Sequence, residues 1–123
     1  MEAEEQIRRV VHGLAHWSSL REHGFELSLE GSAGQRRWIS GSCPCQVTIR
    51  AEDLLEGIQN LQSEPASLSE WAFFLLGSDS VDFAGLDESP RDEALRDIVW
   101  RLGFDEPLES MREQMAIARR DEG

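Results

Sequence analysis

The chain has 123 residues, 40% of them hydrophobic and 29% charged, and a formal charge of −12. That length suits one domain able to bury about two-thirds of its unfolded surface, and the apolar fraction excludes a disordered acidic tail. The charge excludes direct binding to nucleic acid or to an anionic membrane and points to basic protein partners.

The charge is also unevenly placed. Residues 1–50 hold six acids and six arginines and residues 51–123 hold eighteen acids and six arginines, so the whole imbalance falls after residue 50. The expectation is a single domain over 1–123, with a neutral helix-plus-sheet part (1–50) and an acidic helical part (51–123). The first six residues lack the basic-then-apolar order of a signal peptide, and no apolar run approaches the roughly 18 residues of a membrane span. The expected location is the cytoplasm.

In chain order, Ile7, Val10, Val11, Leu14 and Trp17 repeat with helical spacing and predict one helix from Glu4 to Leu20. After Gly24, Phe25, Leu27 and Leu29 alternate with Glu26, Ser28 and Glu30, the two-residue period of a half-buried strand. Gly31 to Gly34 reads as a turn. Trp38-Ile39-Ser40 and Gln46 to Ile49 are short and β-prone, which completes a three-stranded antiparallel meander.

Beyond Ile49 the period becomes helical and stays so. Leu54, Leu55, Ile58 and Leu61 form a stripe, with Glu52 and Asp53 in the first turn, where the helix dipole favours anions. Ser67-Leu-Ser-Glu70 has the spacing of a capping box and is read as opening a helix that buries Leu68, Trp71, Ala72, Phe74 and Leu75 and ends at Gly77. Ser89-Pro90 places a cap before proline at the first helical position, and Ala94, Leu95, Ile98, Val99 and Leu102 form the stripe that Gly103 closes. Asp105 and Pro107 open a last helix carrying Leu108, Met111 and Met115. The fold class expected is α+β: an N-terminal helix, a small three-stranded antiparallel sheet and four C-terminal helices.

Chemical motifs are sparse. There is no Gly-x-Ser-x-Gly elbow, no phosphate-cradling glycine loop and no His-Glu-x-x-His helix, so no enzyme activity is expected. Asp79, Asp82 and Asp87 lack the alternate spacing, central glycine and closing glutamate of a calcium loop. His12 and His16, four apart, could join Cys43 and Cys45 in a tetrahedral site, but Cys-x-Cys is not the two-residue spacing of zinc knuckles. No metal and no cofactor are expected. Cys43 and Cys45 flank Pro44, too close for a comfortable disulfide, and are read as reduced thiols.

The segment Ser78 to Ser89 is more informative. It carries Asp79, Asp82, Asp87 and Glu88 without a basic residue, interleaved with Val81, Phe83 and Leu86. The plainer reading is a loop pinned to the core by three apolar side chains while its acids stay solvated. The functional reading is an epitope in which acids steer and an aromatic anchors. Asp92 with Arg96 and Asp97 with Arg101 are expected as offsetting i,i+4 pairs. The candidate partner-binding residues are therefore Asp79, Asp82, Phe83, Asp87 and Glu88, with Glu52, Asp53 and Glu56.

The runs Ala51 to Ile58, Leu68-Ser-Glu-Trp71-Ala72, Val81-Asp82-Phe83 and Glu93 to Leu102 resemble a pattern in small helical bacterial immunity proteins of polymorphic toxin systems, over about residues 51–117. The resemblance implies a stoichiometric inhibitor of a cognate toxin, without catalysis or cofactor. The leading expectation is an immunity-type protein whose acidic surface covers the cationic site of a toxin such as a nuclease. The alternatives are a phage or plasmid DNA mimic that blocks a nucleic-acid-binding defence complex, and an orphan accessory domain whose acidity confers solubility. The sequence leaves the partner's identity and the oligomeric state open.

Overall fold

A computed structural model describes residues 2–23, 26–30, 35–39, 46–77, 81–104 and 106–120, with the side chains of 23, 26–30, 35–39 and 120 outside that description. The described chain is mostly helical. Helix α1 spans Ala3–Val11 and is followed by a 3-10 segment, Trp17–His23. Strands β1 (Glu26–Glu30) and β2 (Gln35–Ile39) pair antiparallel, with Leu27 opposite Trp38. Strand β3 (Val47–Thr48) precedes α2 (Ala51–Leu61) and α3 (Pro65–Gly77). Strand β4 (Val81–Asp82) leads through a 3-10 turn at Phe83–Gly85 into α4 (Pro90–Gly103), and a second 3-10 turn, Leu108–Met111, leads into α5 (Arg112–Arg120).

The expected α+β fold with a three-stranded antiparallel sheet is not what forms. Val47–Thr48 does not join the β1–β2 hairpin; it pairs in parallel with Val81–Asp82, inside the segment read as an acidic loop. The cause is burial. Val47, Ile49 and Val81 all sit in the helical core, and the Ile49 N–H donates to the Asp82 carbonyl at 2.9 Å. Two-residue strands are too short to show a period, and a parallel pair has no hairpin turn to announce it.

The single N-terminal helix expected through Leu20 is also interrupted. Gly13 takes φ +73°, and its N–H bonds the Val10 carbonyl while the Leu14 N–H bonds the Arg9 carbonyl. These two bonds form a Schellman stop, which satisfies carbonyls that the helix end would leave open. At α3 the expected capping box does not form. The helix begins at Pro65, two residues before Ser67, because proline fits the first helical position. At α4 the Ser89 side chain accepts from the Asp92 N–H with Pro90 at the start of the helix.

Helix α3 is apolar nearly all round and lies centrally, packed against α4, α1 and α2. The core is continuous: Ile7 and Val11 of α1, Leu54 and Ile58 of α2, Trp71 and Phe74 of α3, Leu95 and Ile98 of α4 and Met111 are all buried. Trp71 ties three helices together. Its Nε1–H donates to the Val11 carbonyl at 2.8 Å, and its ring lies where a Cβ on Gly57 would come within 2.5 Å. Among the described residues, no helix is long and apolar enough to cross a membrane.

Candidate partner-binding surface

Two stretches of backbone carry the acids singled out from the sequence, and the β3–β4 bridge joins them. It holds the Val81–Gly85 segment against residues 47–49, which run directly into α2 and so into Glu52 and Asp53. Gly85 packs so closely on the Ile49 carbonyl that a Cβ would collide with it. Asp79 falls outside the described residues, as do Cys43 and Cys45.

Several of the acids are committed to local structure. Asp82 accepts from the Ala84 N–H at 3.0 Å and from the Thr48 hydroxyl at 3.4 Å. Asp87 accepts from the Ser89 N–H at 2.7 Å, and that backbone bond, followed by the Ser89 side chain, holds its carboxyl below the ordinary carboxylate value. Asp53 accepts from the Arg50 N–H at 2.8 Å, closing the first turn of α2. These acids are structural caps as well as charges.

A basic side chain does approach this loop, through its backbone and not through its carboxylates. Arg96 folds back and donates to the carbonyls of Asp87 and Leu86 at 2.9 and 3.0 Å. It does not make the expected pair with Asp92. Asp92 is only 2% exposed and accepts from the Asp87 N–H and from Arg91 Nε instead. The Asp97–Arg101 pair forms at 3.1 Å; Arg101 also reaches Glu106, and the two carboxylates, Asp97 foremost, raise its pKa. Phe83 is half-buried against the core.

His12 and His16 do not share a site. His12 Nε2 lies 2.7 Å from an Asp53 oxygen, and Nδ1 lies 3.3 Å from Glu56. His16 faces Glu70, which also accepts from the Trp17 indole at 2.9 Å. No cluster of three or more His, Cys, Asp or Glu side chains is placed to hold a metal ion among the described residues. Glu52 and Glu88 remain exposed and carry no ion-pair partner among the described residues.

One pair of side chains was missed from the sequence. Trp100 and Phe104 are 56% and 67% exposed, and their rings meet at 4.9 Å between centroids on the outer side of α4. Their signal was readable. At 100° per residue, position 100 lies opposite the stripe of Leu95, Ile98, Val99 and Leu102, so a tryptophan there stands on the polar face, one turn before Phe104. Glu93 and Asp97 share that face, and Leu76, also exposed, lies against Gly103 at the same helix end. No protein-family model, curated protein or solved structure matches the chain.

Proposed function

We propose that this chain is a non-catalytic binding protein of the immunity type, which neutralises a basic partner such as a nuclease toxin by covering its cationic cleft. The observation that carries this reading is the Trp100–Phe104 pair. Two large aromatics stand largely in water beside Glu93 and Asp97, with their rings in contact with each other. Exposed tryptophan flanked by charge is the composition of an interface anchor, where a few aromatic side chains supply most of the binding energy.

The charge supports the same reading through association rate. An imbalance of −12 confined to residues 51–123 steers a cationic surface toward that part of the molecule. Asp82 and Asp87 hold the loop in shape, which leaves the exposed Glu52 and Glu88, and Glu56 beside His12 at 3.3 Å, as acids that can turn toward a partner. A nuclease fits because its substrate is a polyanion and its cleft must be cationic.

The test is capture of basic proteins from the native cytoplasm on wild type and on the variant Glu52→Gln/Glu56→Gln/Glu88→Gln, then association rates at about 50 and 500 mM salt, which bracket weak and strong screening. The variant should associate more slowly at low salt and respond less to salt. Equal rates for the two chains would remove electrostatic steering from the account.

A further inference from the structure

The acidic part of the molecule contains one basic exception. Of the six arginines after residue 50, Arg91, Arg96 and Arg101 are spent on internal contacts. Arg112, Arg119 and Arg120 all lie on α5, against a single acid on that helix, Glu113. Arg112 and Arg119 are exposed, and neither has an ion-pair partner among the described residues.

Both line the same groove. It runs between the start of α3 and the 3-10 turn and helix α5, has a volume of about 720 Å³, and is floored by Leu68, Leu102, Leu108 and Met115. That volume is in the range of small-molecule sites, which combine an apolar wall with a few polar groups that fix orientation. Two acids also reach the groove. Glu106 is already held by Arg101 at 3.2 Å and by the Ser110 hydroxyl at 2.9 Å, so among the described lining residues Glu109 is the one acid left to oppose the guanidinium groups of Arg112 and Arg119.

We infer that this groove binds an amphipathic monocarboxylate of the fatty-acid type, its chain on the leucine and methionine floor and its carboxylate held by Arg112 or Arg119. The two arginines are seven residues apart, about 10 Å along the helix, so the head group meets a guanidinium at either end of the floor. A guanidinium fork fits a carboxylate with two parallel hydrogen bonds. A phosphate dianion suits the site less, because the field of the whole chain opposes each added negative charge. This site is separate from the acidic surface and does not depend on it.

The experiment titrates the protein with decanoate below its micelle concentration and follows the methionine methyl resonances. Met115 lines the groove, whereas Met111 is buried outside its lining and serves as an internal reference. The expected result is a saturable one-to-one shift at Met115 with Met111 unmoved. Arg112→Gln/Arg119→Gln, two exposed changes checked by thermal midpoint, should weaken decanoate about tenfold, the effect of losing a charged hydrogen bond. Ala116→Trp, which fills the groove from an exposed position while keeping both arginines, should abolish the shift. Decanol should bind wild type about tenfold more weakly than decanoate, for the same reason. Absence of a saturable shift, decanol binding as tightly as decanoate, or unchanged decanoate affinity in the arginine variant would each overturn the inference.

Discussion

Trp71 and Gly57 define each other. The indole lies over the α2 backbone, and its N–H satisfies the Val11 carbonyl at the end of α1, so glycine is the residue that lets the ring reach across. Alanine at position 57 would gain up to about 1 kcal/mol in helix propensity, but it must displace both the ring and the carbonyl. Overpacking of this kind costs roughly 1–3 kcal/mol. Gly57→Ala should therefore lower stability in urea unfolding, and a rise would mean that the ring is loosely held. Asp87 makes a different prediction. Its folded-state pKa is depressed, chiefly by the Ser89 N–H. It therefore adds stability above the ordinary carboxylate value, and that contribution fades as pH falls through the folded-state value. Thermal midpoints of wild type and Asp87→Asn should differ near neutrality and converge on acidification. A gap that stays constant would place the effect in packing and not in charge.

At the scale of elements, what was legible was what local chemistry decides. Ser89-Pro90 was readable because a cap and a proline act on the first turn alone, and both sit where the pattern put them. Gly13 was overlooked because Leu14 and Trp17 continue the apolar spacing beyond it; a period cannot reveal that the backbone has turned left-handed just before them. The Ser67–Glu70 spacing misled because Glu70 is drawn to Trp17 and His16, long-range partners that sequence does not disclose. The β3–β4 pairing failed for the same reason, since it joins residues 34 apart. Of the candidate site, the charge was legible, but the capping duties of Asp53, Asp82 and Asp87 and the outward Trp100–Phe104 pair were not read. The stop at Gly13 can be tested directly. Gly13→Ala forces a side chain into the left-handed region at a cost of about 1–2 kcal/mol, beside an Asn60 Cβ that a new Cβ would approach to 3.1 Å. Chemical denaturation should show that loss, with helicity retained. An unchanged midpoint would indicate that α1 can end elsewhere.

On the scale of the whole molecule, charge and aromatic anchors have separate jobs. The −12 imbalance acts at a distance and is weakened by salt, so it governs how fast a cationic partner arrives. Trp100 and Phe104 act on contact, so they govern how long it stays. Because both are exposed, truncating them should leave folding within about 0.5 kcal/mol of wild type. The most direct measurement is the dissociation constant of the captured basic partner for Trp100→Ala/Phe104→Ala beside wild type, with thermal midpoints recorded for both chains. The account predicts a loss of about thirtyfold or more, equivalent to removing one interface hot spot of about 2 kcal/mol, at an unchanged midpoint. Equal affinity for the two chains would contradict it.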